Sequence, residues 1–106
     1  MKLGVFISTS DAETCWNAFR FANFCLDNKD EVSVFLLGKG VEYERIADSS
    51  FDIKGQAAKF SSSGGKIYAC GTCLKHRNKS GSDLCPISTM KDMYKIVSES
   101  DKILTF

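Results

Sequence analysis

Residues 31–44 read EVSVFLLGKGVEYE, a short apolar run that ends at two glycines. The first part, residues 31–37, is rich in Val, Phe and Leu, which is typical of a buried β-strand. Gly38 and Gly40 then end the strand, and residues 41–48 are predicted to form a short helix. The stretch therefore predicts a strand that crosses the core and leads into a glycine turn at its carboxyl end.

The same succession of strand and helix extends over the whole chain. Further strands are predicted at 2–8, 66–70 and 102–106, and helices at 12–27, 52–62 and 71–77. A last helix is predicted to begin at Pro86 or at a cap formed by Ser88 and Thr89, and to run to about residue 99. Strands that alternate with helices indicate a mainly parallel sheet with helices on both faces. The prediction is an α/β fold of three layers, α/β/α, with four to five strands, in a single domain spanning residues 1–106.

Two helical stripes carry the apolar residues of the predicted helices. The stripe of residues 90, 93, 94 and 97 keeps helical spacing, and its two methionines, Met90 and Met93, are predicted to lie in the core. The apolar stripe of the helix at 12–27 is broader. Its large residues present more apolar surface than one sheet face covers: Trp16, Phe19, Phe21 and Phe24. Part of that surface is therefore predicted to be a subunit interface.

Bulk composition argues against several classes of function. The 106-residue chain has a net charge of +1 and no basic block, so binding to nucleic acid or to an acidic membrane is not expected. The apolar run at the N-terminus is too short for a signal peptide, and no stretch approaches the ~20 apolar residues of a transmembrane helix. The expectation is a cytoplasmic protein.

The five cysteines divide into two groups. Cys15 and Cys25 fall within the helical pattern and are predicted to pack as small apolar residues. Cys70, Cys73 and Cys85 lie in a glycine-rich, polar segment, where packing does not require cysteine. In parallel sheets, chemistry collects at the carboxyl ends of the strands, so the loops at 8–11, 38–41 and 70–73 are predicted to form the site.

The segment IYACGTCLKHR, residues 67–77, places Cys70 between a predicted strand and a predicted helix. A thiolate there would face the backbone N–H groups of Gly71 and Thr72, which favour an anion. Basic residues near the motif are placed to add positive potential or to line the site: Lys39, Lys75, His76 and Arg77. Cys70 is thus the predicted nucleophile.

Several interpretations of the cysteine cluster remain open on residues alone. A redox dithiol would use Cys70 and Cys73, although the motif follows the third strand and not the first, as it does in thioredoxin-like proteins. Zinc would need His76 and Cys85 as well, but a second closely spaced ligand pair is missing, so neither metal nor cofactor is expected. The remaining possibilities are incidental cysteines, a sulfur carrier with one persulfide-bearing cysteine, or a binding module that uses the same cleft without chemistry.

Two stretches resemble the DsrE/DsrF-like family, also called YchN-like or TusD-like. EVSVFLLGKGVEYE resembles the family's strand that runs into G-x-G-V, and ACGTCLKHR resembles its cysteine after the third strand, followed by Leu and basic residues. The order of elements agrees over essentially the whole chain.

The resemblance implies a three-layer domain that assembles as trimers or hexamers. It also implies a role in intracellular sulfur trafficking, with sulfur donor and acceptor proteins as partners. The sulfur-accepting cysteine maps onto Cys70, which would carry a persulfide as a sulfur carrier or sulfurtransferase. Cys73 is then the predicted resolving or relaying thiol, and Cys85 a third candidate; both depart from the simplest family pattern.

Overall fold

The computed structural model of the protein describes residues 1–81 and 86–106. The strands are β1 (Lys2–Ile7), β2 (Glu31–Leu36), β3 (Lys66–Cys70), β4 (Ile87–Ser88) and β5 (Lys102–Thr105). The helices are α1 (Ala12–Asp27), α2 (Ile53–Ser62), α3 (Gly71–His76) and α4 (Met90–Glu99), with a 3-10 helix at Gly38–Arg45. Within the described residues, the strands form one parallel sheet in the order β4-β3-β2-β1-β5. The predicted three-layer α/β fold is confirmed.

Helices α1 and α2 cover one face of the sheet. Alternate strand residues such as Val5, Val34 and Ile67 point to this face, because successive side chains of a strand point to opposite sides. They pack against the fully buried rings of Phe19 and Phe60, which lie 6.2 Å apart, centroid to centroid. This face holds most of the buried apolar residues. Truncating either ring to alanine would lower the free energy of unfolding by about 3–5 kcal/mol.

Helix α4 covers the opposite face. The strand residues of the other parity, Phe6, Phe35 and Cys70, form a smaller cluster there with Ile96 of α4. The N-cap residue of this helix is Thr89, whose backbone N–H donates to the Asp92 carboxylate over 2.8 Å in a capping box. Cys70 is therefore buried between the sheet and α4, at the carboxyl end of β3.

Two features of this region correct the predictions from sequence. β4, a two-residue strand beside β3, precedes α4 where only a helix start was predicted. Met90 is 57% exposed and not in the core, and Tyr94 is 74% exposed. The reason is that α4 turns Met93 and Ile96 to the sheet, so the other side of its apolar stripe faces outwards.

Gly40 fixes how the turn after β2 packs against β1. A Cβ atom added there would overlap Ile7 O and would lie 2.8 Å from the Ile7 carbonyl carbon. Only glycine allows this backbone approach, which sets the start of the 3-10 helix against the end of β1.

Among the described helices, none is long and apolar enough to cross a membrane.

Candidate functional site

The site forms where β2 and β3 end side by side. Their parallel register pairs Leu36 with Ala69, so Gly38 after β2 and Cys70 at the end of β3 reach the same edge of the sheet. Cys73, in the first turn of α3, lies beside both of them. Cys73 packs against the cluster that contains Cys70, and the neighbouring Cys70 thiol raises the pKa of Cys73. Two of the three predicted loops therefore meet at the cysteine pair.

A backbone amide contacts the sulfur of Cys73. Gly38 has φ +54°, a left-handed conformation that glycine adopts without strain. In this conformation its N–H donates to Cys73 Sγ over 3.2 Å, from a residue 35 positions away in sequence. The glycine turn thus supplies a hydrogen-bond donor to the thiol.

Stabilisation of a Cys70 anion by the amides of Gly71 and Thr72 stays a prediction. Cys70 occupies the N-cap position of α3, but its side chain accepts no cap hydrogen bond in the described structure. Its position in β3 turns the sulfur into the apolar cluster under α4. Gly71 instead allows α3 to approach β4, since an added Cβ would lie 2.9 Å from Ile87 Cγ2. Thr72 is exposed.

One of the basic residues near the motif contacts the pair. Arg77 Nη1 donates to Cys73 O over 3.2 Å, and its Nε donates to Glu42 Oε2 over 3.1 Å. Lys75, His76 and Lys39 are exposed at the same edge of the sheet. The cation held against Cys73 is therefore Arg77. The contacts of Gly38 with Cys73 and of Glu42 with Arg77 were not predicted from the sequence, because Gly38 and Glu42 lie on the segment after β2 and not near the cysteines in the chain.

Cys73 rests mainly as a thiol. Burial raises the pKa of Cys73, the Gly38 N–H opposes that rise, and the hydrogen bond with Cys70 adds to it. The charge of Arg77 also lowers the pKa of Cys73, more weakly. Since the net shift is upwards, Cys73 becomes a nucleophile only when its proton is removed.

The two helical cysteines are packed into the core, as predicted. Cys15 and Cys25 are buried in α1. Burial raises the pKa of Cys15 to about 11, and burial together with nearby Asp30 raises that of Cys25. Neither is suited to nucleophilic chemistry at neutral pH.

The zinc interpretation finds no ligand cluster in the described part of the chain. No three His, Cys, Asp or Glu side chains within residues 1–81 and 86–106 are grouped to hold a metal ion. His76 is exposed at the end of α3. Cys85, the remaining candidate for both the zinc and the sulfur chemistry, lies outside the described residues.

Comparison with known proteins agrees with this architecture. The DsrE/DsrF-like family matches residues 1–106. The chain is 30% identical over 114 aligned positions to an uncharacterized protein of Methanocaldococcus jannaschii, with both proteins fully covered. It is 29% identical over 100 positions to an uncharacterized protein of Methanopyrus kandleri, covering 89% of this chain and 83% of the relative.

A solved structure shows the same fold. The YchN protein from E. coli matches over the full length of both chains with a TM-score of 0.84 at 20% identity. The α/β fold of this chain is thus one already seen in a solved protein. The chain belongs to the DsrE/DsrF-like family, which is a family of the sulfur-relay type.

Proposed function

We propose that the protein is a sulfur-carrier or sulfurtransferase-like member of the DsrE family, which receives sulfur as a persulfide at the Cys70–Cys73 pair. The observation that carries this proposal is the contact between the two thiols beside the Gly38 amide. Both cysteines lie at the carboxyl edge of a parallel sheet, where ligands of such folds bind. Residues 1–106 act as one domain in this proposal.

Exposure divides the roles of the two thiols. The sequence pattern named Cys70 as the acceptor, but Cys70 is only 4% exposed. Cys73 is half-buried and has the Gly38 N–H on its sulfur. We therefore assign the first contact with a sulfur donor to Cys73 and keep Cys70 as the second thiol of the site.

Sulfur transfer to Cys73 is a thiol exchange reaction. The Cys73 thiolate attacks the terminal sulfur of a donor persulfide, and the S–S bond of the donor breaks. The donor leaves as a thiolate and takes up a proton, while the new S–S bond remains on Cys73. Because Arg77 places positive charge next to Cys73, it stabilises the attacking anion.

Intact mass after brief exposure to inorganic polysulfide tests this function. We expect the wild type, quenched within seconds with an alkylating reagent, to gain one sulfur atom. The matched control Cys85→Ser should gain it equally, and the double variant Cys70→Ser/Cys73→Ser should not. If the double variant takes up sulfur as fast as the wild type, the pair is not the acceptor site.

The second proposal concerns assembly as a homo-oligomer, a trimer or a hexamer. Large apolar side chains are exposed on two opposite layers: Phe21 and Phe24 on α1, and Met90, Tyr94 and Val97 on α4. Two separate apolar patches suit an assembly with two kinds of interface, because one dimer contact would cover only one of them.

Sedimentation of variants on α4 tests the assembly. We expect Tyr94→Glu to lower the sedimentation coefficient, since a charge would be buried at an apolar contact. The matched control Lys95→Glu, at an exposed position on the polar side of the same helix, should sediment like the wild type. A wild type that sediments as a monomer at all concentrations would refute this proposal.

Compartment and partners follow from the same chemistry. The four described cysteines are free thiols, which persist in a reducing compartment. We therefore place the protein in the cytoplasm, with proteins that donate and accept sulfur as its partners.

A further inference from the structure

The position of Cys70 is unsuited to direct exchange with a partner protein. It is 4% exposed and clusters with Phe6, Phe35 and Ile96, yet Cys73 packs against the same cluster. We propose that Cys70 is a resolving thiol, which reduces a persulfide on Cys73 to sulfide and closes a Cys70–Cys73 disulfide. This inference rests on the proposed function, because it needs sulfur to reach Cys73 first.

The reaction balances without any further reagent. Cys70, as thiolate, attacks the inner sulfur of the persulfide, which is Cys73 Sγ. The bond between that sulfur and the terminal sulfur breaks, and the terminal sulfur leaves as hydrosulfide with the electron pair. The sulfur atom gains two electrons and the two cysteines lose two. A new round requires an external dithiol to reduce the disulfide.

Geometry favours attack on the inner sulfur. Cys73 packs against the cluster that contains Cys70, so Cys70 is the neighbouring thiol of a persulfide formed on Cys73. Cys70 is the N-cap residue of α3, and Cys73 lies three residues later in the first turn of the same helix. Closing the disulfide requires a Cβ separation of about 3.5–4.5 Å between them.

Transfer of the terminal sulfur onto Cys70 is disfavoured by packing. An added sulfur atom on Cys70 would have to displace the close-packed rings of Phe6 and Phe35. On Cys73, which is half-buried, the terminal sulfur has an outward side from which it can leave as hydrosulfide. The positive charge of Arg77 near Cys73 favours departure of that anion.

Sulfide release from loaded protein tests the inference. Wild type, Cys70→Ser and Cys70→Ala are exposed to inorganic polysulfide, desalted rapidly and incubated without added thiol. We expect the wild type to release one sulfide per chain and to finish two hydrogens lighter than the reduced protein. The persulfide of both Cys70 variants should persist at least about tenfold longer, since the intramolecular attacker is gone.

Three outcomes decide the matter. If the wild type keeps its persulfide as long as the Cys70 variants and releases no sulfide, the inference fails while the carrier function stands. If Cys85→Ser stops sulfide release, a different thiol is the resolving group and the inference also fails. If neither the wild type nor the Cys70 variants take up sulfur, the proposed function itself is wrong.

Discussion

Replacing Cys73 by serine is expected to abolish persulfide formation, whereas replacing Cys70 by serine is expected to leave its rate within a few-fold of the wild type. The reason is access: a donor reaches the half-buried Cys73 but not Cys70, which is 4% exposed. The measurement is the initial rate of sulfur uptake from polysulfide, read as intact mass after quenching. Cys85→Ser serves as the matched control with both sulfurs of the pair intact.

The pH dependence of that rate is part of the same prediction. Burial raises the pKa of Cys73, so the thiolate is a minor form at neutral pH. As long as the pH is below the pKa, each increase of one pH unit raises the thiolate fraction about tenfold. Uptake by Cys70→Ser should therefore rise from pH 7 to pH 9. An uptake rate that does not change between pH 7 and pH 9, or sulfur uptake that persists in Cys73→Ser, would contradict the assignment of Cys73 as the acceptor.

The largest loss of stability is expected for Gly40→Ala. The new Cβ would overlap the backbone oxygen of Ile7, and because the backbone fixes the positions of both atoms, neither can move away as the end of a flexible side chain would. Ile7 is held in β1 by its pairing with Leu36 of β2. We expect the free energy of unfolding to fall by about 3 kcal/mol or more, the upper end of the range for overpacking.

Chemical denaturation measures this loss against a neighbouring control. Lys39→Ala changes the adjacent residue, whose side chain is exposed, and should alter stability by no more than about 0.5 kcal/mol. Equal midpoints for Gly40→Ala and Lys39→Ala would show that the turn does not pack against β1 as described.

The layers of the fold were predictable because long elements repeat one signal. β1 and β2 are runs rich in Val, Ile, Phe and Leu, β3 is the run Ile-Tyr-Ala-Cys after Lys66, and α1 keeps its apolar period over sixteen residues. β4 was missed because two residues cannot display a period, and it exists only through pairing with Ala69 and Cys70. The prediction that Met90 lies in the core was also wrong, because the spacing of apolar residues alone does not fix which side of α4 meets the sheet.

The site was predictable only in part, for a similar reason. Spacing alone brings Cys70 and Cys73 together, since they are three residues apart at a helix start. The Gly38 amide and the Glu42–Arg77 pair each join segments 35 residues apart, so they depend on the register of β2 against β3. No local pattern specifies that register, and the sequence directed attention to Gly71 and Thr72 instead.

Locating the transferred sulfur tests the central claim most directly. In Cys70→Ser exposed briefly to polysulfide and alkylated, fragmentation of the peptide 67–75 should place the added sulfur on Cys73. Sulfur found instead on Cys85, or on Cys15 or Cys25 of the core, would contradict the claim that the pair at the sheet edge handles sulfur.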